Sequence, residues 1–133
     1  MELPPTHCPV TTSSVSAGFA NVGSDEIEDT LNLHELLVDH PAATFFIRVE
    51  GESMRGASIQ PDDILVVDRS LEPKPGRIII ALIEGEFTVK RLVQRGETYF
   101  LAAENPNYPD LPLTKELDFQ VWGVVTYIIH KAT

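Results

Sequence analysis

The chain has 133 residues, with twenty acidic and ten basic side chains and a formal net charge of −10. This length predicts one domain that buries a core of its own, and the acidic balance argues against direct nucleic-acid binding through phosphate neutralisation. The single cysteine, Cys8, excludes a disulfide framework within the chain. The four histidines lack the spacing of metal ligands, so we expect neither a metal nor another cofactor.

Membrane insertion and export are not expected from the sequence. The longest apolar run, 78–83, is much shorter than the ~20 residues of a membrane-spanning helix. The first residues lack the basic and apolar pattern of a secretory signal. We therefore expect a cytoplasmic protein that does not contact a membrane.

Residues 1–29 are predicted to form a flexible arm in front of the folded domain, 30–133. Residues 1–24 hold three of the ten prolines, only one formal charge and no sustained helical or strand period. Such a segment cannot bury enough apolar surface to offset the entropy lost on ordering. The acidic residues 25–29 are expected to be a solvated linker.

A short helix is predicted at the start of the domain. Asn32 and Glu35 match a capping box, and three leucines follow on one helical face. Pro41 should end the helix after about two turns.

The rest of the domain is predicted to consist of strands separated by proline- and glycine-rich turns. The third and fourth strands should form a hairpin through Glu84 and Gly85. Because no strand–helix–strand alternation is present, the fold class is predicted to be mainly β, with one short helix. The predicted strands are 44–49, 64–68, 78–83, 86–93, 98–102 and 119–129.

Two short segments contain residues that could carry out hydrolysis. Ser53 follows Gly51 and Glu52 directly after the first strand, and Lys90 lies within the fourth. A serine beside a glycine is most often a turn residue, and a lysine on a strand most often keeps its charge in water. Each residue by itself therefore favours a structural role.

Together, the two residues could form a hydrolytic site. A serine hydroxyl needs a base to remove its proton, and no histidine of the sequence stands in a suggestive setting. Lysine can act as that base if burial lowers its pKa from about 10.4 toward neutrality. Val89, Leu92 and the apolar run 78–83 would desolvate Lys90 in this way. The residues alone leave both the catalytic and the structural interpretation open.

Three segments in register resemble the self-cleaving LexA/UmuD family of serine peptidases. They are Gly51-Glu52-Ser53-Met54, the strand 63–68 and the segment 85–92. In that family the serine of the Ser-Met turn is the nucleophile, and the lysine of the Phe-Thr-Val-Lys strand is its general base. The resemblance implies these roles for Ser53 and Lys90, whose separation of 37 residues agrees with the UmuD branch.

The resemblance also implies a cleavage site and a peptidase domain of twisted antiparallel strands. The family cuts itself at a bond between a small residue and a glycine, which implies the Ala17–Gly18 bond here. Only about seventeen residues precede that bond, fewer than the DNA-binding domain of a LexA repressor needs, which favours the UmuD branch. The similarity extends through 31–37, 40–46, Asn105, Tyr108 and 121–125.

The resemblance implies a mechanism in which Lys90 and Ser53 act in successive steps. Neutral Lys90 removes the proton of Ser53 Oγ, which attacks the Ala17 carbonyl. Backbone N–H groups of Glu52 and Ser53 would hold the developing oxyanion. Protonated Lys90 then protonates the leaving amine of Gly18, and water hydrolyses the acyl-enzyme.

The resemblance further implies three partners in the bacterial cytoplasm. The RecA filament on single-stranded DNA would stimulate self-cleavage as part of the SOS response. The trimmed product, 18–133, would form a homodimer and bind a UmuC-type Y-family DNA polymerase as an accessory subunit in error-prone translesion synthesis. Contact with DNA would then be indirect.

Two other interpretations remain open on the sequence. The chain could be a non-catalytic polymerase-binding module in which Ser53 and Lys90 have no chemical role. It could also be a LexA-like repressor or antirepressor fragment that acts with another partner.

Overall fold

The computed structural model describes residues 7–11 and 27–133. The chain divides into two compact units between Asp39 and His40. The predicted cleavage site, Ala17–Gly18, lies outside the described residues. No helix within the described ranges is long and apolar enough to cross a membrane.

The first unit contains a two-stranded antiparallel sheet and one short helix. Strand β1 (His7–Thr11) pairs with strand β2 (Ile27–Asn32), and the register shifts between Val10 and Thr11. The sequence predicted an arm without strands here, because neither segment alternates apolar and polar residues. The pairing depends on backbone hydrogen bonds between segments distant in sequence, and a side-chain pattern does not report these.

Helix α1 (Leu33–Leu37) follows β2 directly. Its N-cap is Asn32, as predicted, and Asn32 Oδ1 accepts a hydrogen bond from the Glu35 N–H at 3.3 Å. The helix is shorter than the two turns predicted, because Val38 already has an extended backbone. Pro41 instead begins a separate 3₁₀ helix, Pro41–Ala43.

The second unit, His40–Thr133, contains a seven-stranded antiparallel sheet in the order β3-β4-β9-β5-β6-β7-β8. This confirms the predicted mainly β fold class. All six predicted strands are present, four of them with the predicted ends. The strands are β3 (Thr44–Arg48), β4 (Ile64–Asp68), β5 (Ile78–Ile83), β6 (Glu86–Arg95), β7 (Thr98–Ala102), β8 (Leu111–Pro112) and β9 (Phe119–Ile129).

Strand β9, the last along the chain, lies between β4 and β5 in the centre of the sheet. Its register shifts opposite β4 between Val66 and Val67 and opposite β5 between Ile80 and Ala81. Such irregularities bend a strand and increase its twist. Gly123 lies at this crowded position, because a Cβ there would be 2.6 Å from Val67 Cγ1.

The core of the second unit consists of two apolar clusters. Their area removed from water supplies the main stabilisation of the fold. One cluster is formed by Val49, Met54, Ile59, Leu65, Val67 and Ile80. The other is formed by Ile79, Ala81, Leu92, Leu101 and Val124.

Candidate active site

Ser53 lies in a tight turn that follows β3. The Val49 N–H donates to the Asp63 carbonyl at 2.8 Å, which holds the chain to the β4 side as it leaves the strand. Gly51 has a φ of +84°, a backbone conformation that residues with a Cβ rarely adopt. Met54 is only 2% exposed and anchors the far side of the turn in the core. These constraints place Ser53 at the boundary between the core and the surface.

Lys90 reaches the serine from strand β6. Lys90 Nζ donates a hydrogen bond to Ser53 Oγ at 2.8 Å, between groups 37 residues apart in sequence. Burial lowers the pKa of the Lys90 ammonium, because the charged form loses water. The pair therefore has the distance that proton transfer requires, and the burial of Lys90 shifts its protonation equilibrium in the direction of the neutral amine. The structure thus brings together the two side chains that the sequence singled out.

A cleft with a volume of ≈ 360 Å³ opens beside Ser53. Its aromatic lining is Phe87 and Trp122, whose ring centroids are 5.8 Å apart. Phe45, which does not line the cleft, packs on Trp122 with a centroid distance of 5.1 Å. The cleft can accept an extended peptide with apolar side chains, because most of its lining is apolar. It is lined by Ile47, Arg48, Val49, Glu50, Gly51, Ser53, Met54, Ile80, Phe87, Thr88, Val89 and Trp122.

The backbone before Ser53 carries the two N–H groups predicted to hold an oxyanion. Within residues 7–11 and 27–133, no group accepts a hydrogen bond from the N–H of Glu52 or Ser53. The Glu52 carbonyl, by contrast, accepts from the Arg55 N–H at 3.2 Å and from Asn105 Nδ2 at 2.9 Å. The role of the two N–H groups stays a prediction.

The sequence did not assign a role to the loop after β7, which contacts the serine turn. Asn105 was noted only as part of the resemblance, yet its side chain bonds the residue before Ser53. The backbone of Glu104 accepts from the Gly56 N–H on the other side of the turn. The prolines at 106, 109 and 112 indicated a loop, but no local signal indicated what the loop contacts.

Comparison with known proteins identifies the chain's relatives. The sequence model of the family of S24-like peptidases matches residues 9–126 of this chain. Protein ImpA of Salmonella typhimurium is 40% identical over 123 residues, which cover 92% of this chain and 83% of ImpA. Protein SamA of the same species (strain LT2) is 42% identical over 123 residues, covering 92% of this chain and 85% of SamA.

The similarity extends to repressors of the same family. The LexA repressor of Idiomarina loihiensis is 34% identical over 117 residues, which cover 87% of this chain and 57% of the repressor. The chain therefore belongs to the S24-like peptidase family, as a UmuD-like member that is also related to the LexA repressors.

Proposed function

We propose that this chain is a serine endopeptidase of SOS mutagenesis that cleaves itself at Ala17–Gly18, with Ser53 as nucleophile and Lys90 as general base. The observation that carries the proposal is the 2.8 Å hydrogen bond between Lys90 Nζ and Ser53 Oγ. The lowered pKa of Lys90 supports it, because only a neutral amine can accept the hydroxyl proton. Membership of a peptidase family supports it independently.

In the first step, Lys90 Nζ takes the proton of Ser53 Oγ while the oxygen attacks the Ala17 carbonyl carbon. The tetrahedral intermediate collapses with cleavage of the C–N bond, and the Lys90 ammonium returns its proton to the Gly18 amine. An ester between Ser53 and Ala17 remains. Water, deprotonated by Lys90, hydrolyses this ester and regenerates the serine hydroxyl.

The developing negative charge on the Ala17 carbonyl oxygen needs hydrogen-bond donors. The N–H groups of Glu52 and Ser53 are proposed to supply them, because both lie at the serine turn and have no acceptor in the described part of the chain. Donors arranged in advance cost no reorganisation when the charge develops.

The proposed biological context follows from the UmuD-like relationship. The RecA filament on single-stranded DNA would stimulate cleavage, and the product 18–133 would form a homodimer that binds a UmuC-type Y-family polymerase. The net charge of −10 is consistent with indirect contact with DNA, because an acidic surface repels phosphate. The proposed location is the bacterial cytoplasm.

The deciding experiment incubates the purified full chain with a nucleotide-bound RecA filament and measures intact mass over time. We expect a product with the mass of residues 18–133 from the parent chain. Ser53→Ala and Lys90→Ala should give none, while Lys74→Ala, which changes an exposed lysine, should react as the parent does. Undiminished cleavage in either dyad variant would overturn the assignment.

The same material separates the proposal from its alternatives. A chain that binds a Y-family polymerase but is never cleaved would be a non-catalytic module. A chain that is cleaved but does not co-purify with such a polymerase would be a repressor-like or antirepressor fragment.

A further inference from the structure

The turn that contains Ser53 is held on both sides by one short loop, residues 103–108. On one side, Asn105 Nδ2 donates to the Glu52 carbonyl at 2.9 Å. On the other side, the Gly56 N–H donates to the Glu104 carbonyl. The neighbouring loop residues Glu104 and Asn105 thus hold the turn at two positions. These positions are one residue before and three residues after Ser53.

The bond from Asn105, together with the 3.2 Å bond from the Arg55 N–H to the same Glu52 oxygen, constrains where one backbone N–H points. The Glu52 carbonyl and the Ser53 N–H belong to the same planar peptide unit, and in a trans peptide they point in opposite directions. The described residues contain no cis peptide bond. A donor fixed on the Glu52 oxygen therefore fixes the direction of the Ser53 N–H. It also polarises the peptide unit, which makes that N–H a stronger donor.

The Asn105 amide is itself held in one orientation. Its Oδ1 accepts a hydrogen bond from the Asn107 N–H at 3.0 Å, so that Nδ2 is the atom directed at Glu52. The neighbouring Glu104 carboxylate is bonded by Arg91 Nε, and Arg91 follows Lys90 on β6. The loop thus connects the serine turn to the strand that carries the lysine.

The loop also lies too close to the turn for either to move freely. A Cβ added at Gly56 would overlap the Glu104 carbonyl oxygen, which is backbone and cannot rotate away. The absence of a side chain at Gly56 allows this approach. The serine turn is therefore supported by close backbone contact with this loop.

We propose that Asn105 is a positioning residue for self-cleavage, which orients the Glu52–Ser53 peptide unit so that the Ser53 N–H is directed at the oxygen of the attacked carbonyl. This inference rests on the proposed function. It assigns to Asn105 no contact with substrate, and it predicts a loss of rate without a change in how Lys90 titrates.

The test measures first-order self-cleavage of the full chain, without RecA, across the alkaline pH range. Asn105→Ala should lower the limiting rate by about 10- to 100-fold, since small misplacements of reacting groups cost that much. The midpoint of its pH profile should match the parent's, because Asn105 makes no hydrogen bond to Lys90 within the described residues. Asn105→Asp keeps the oxygen that accepts from the Asn107 N–H but loses the Nδ2 donor to the Glu52 carbonyl. It should therefore cleave as slowly as Asn105→Ala.

The matched control is Asn107→Ala. The Asn107 side chain makes no hydrogen bond in the part of the chain that the structure describes, and its backbone N–H is retained in the variant. This variant should cleave at the parent's rate. The midpoint is read from Asn105→Ala only, because the new carboxylate of Asn105→Asp would itself stabilise protonated Lys90.

Three outcomes would overturn the inference. A rate for Asn105→Ala within twofold of the parent would mean that the bond to Glu52 does not matter. A midpoint displaced toward that of an ordinary lysine would mean that the loop acts by shielding Lys90. Loss of the folded state in both Asn105 variants would make the residue structural. Ser53→Ala in the same assay tests the proposed function separately, since it should be inactive whatever Asn105 does.

Discussion

Lys90 on β6 lies directly opposite Ile79 on β5, and the Ile79 side chain is fully buried. Cross-strand partners share a face of the sheet and contact each other. The stem of Lys90 therefore lies beside apolar surface, and this surface removes water from the ammonium and lowers the Lys90 pKa. From this strand, Lys90 Nζ donates to Ser53 Oγ at 2.8 Å. The β5–β6 register thus places the stem of the proposed base beside fully buried apolar surface.

The first prediction concerns the pH dependence of spontaneous cleavage. Without RecA, the rate should rise from neutral to alkaline pH, with a midpoint below the usual lysine value of about 10.4, because only neutral Lys90 acts as a base. The RecA-stimulated reaction should depend less on pH, since the docked arm would complete the desolvation of Lys90. Intact-mass time courses at a series of pH values measure both. A spontaneous rate that is flat across this range would argue against Lys90 as the base.

The second prediction concerns the stability of Lys90→Met. Burial lowers the folded-state pKa of Lys90, so the charged form of this lysine destabilises the fold. This destabilisation has its full size at pH values below the folded-state pKa. The destabilisation then fades as the pH rises toward the value of the unfolded chain. Lys90→Met should therefore be inactive yet melt at least as high as the parent at neutral pH. A clearly lower melting temperature would mean that Lys90 is a charged structural partner and would favour the non-catalytic module.

The third prediction places the cleaved bond. Gly18→Val should block processing, because a β-branched side chain would clash where the serine approaches the peptide. Gly23→Val changes another glycine ahead of the domain and should leave processing intact. N-terminal sequencing of the parent's product should begin Gly18-Phe19-Ala20. A different first residue would refute the Ala17–Gly18 assignment.

The fourth prediction concerns Asp68, a buried carboxylate at the end of β4. Its burial raises the pKa, but hydrogen bonds from Ser70 and His40 outweigh this and leave the pKa below the usual 3.8. Ser70→Ala should cost about 1 kcal/mol of unfolding free energy at neutral pH. Because a lowered pKa stabilises the fold only while the carboxyl is ionised, this difference should shrink as the pH falls below 3.8 through the folded-state value.

Denaturant unfolding of the parent and the Ser70 variants at several pH values checks this. Ser70→Thr keeps the hydroxyl and serves as the control, with stability close to the parent's. A cost for Ser70→Ala that is constant down to strongly acidic pH would show that the hydroxyl does not act through the Asp68 charge.

The fifth prediction concerns the packing of β9 against β4. A Cβ at Gly123 would lie 2.6 Å from Val67 Cγ1, and Val67 is fully buried. Gly123→Ala should therefore destabilise the fold by about 1–3 kcal/mol through overpacking. Combined with Val67→Ala, which removes the obstructing methyl groups, it should cost less than the sum of the two single changes. Strict additivity in thermal or denaturant unfolding would contradict this contact.

The strands of the second unit were predictable because their signals are local. The ends of 64–68, 78–83, 98–102 and 119–129 agree with the structure, since each is an apolar or alternating run bounded by turn residues. The pairing of β1 with β2 was missed, because prolines and small polar residues hide a strand that is held by its backbone partner. The short strand β8, with two residues, has no detectable period.

The sequence by itself determined the family, the mainly β class and the identity of the two candidate catalytic side chains, because each of these depends on residue types at fixed spacing along the chain. It could not determine that β9 lies between β4 and β5, or that the loop of Asn105 supports the Ser53 turn. Such contacts join segments that are distant in sequence. The hydrogen bond between the side chains of Asp63 and His130, for example, joins residues 67 positions apart. Only the assembled tertiary structure decides these contacts, because strand order and loop contacts follow from which apolar faces can be buried together, and no local pattern contains that information.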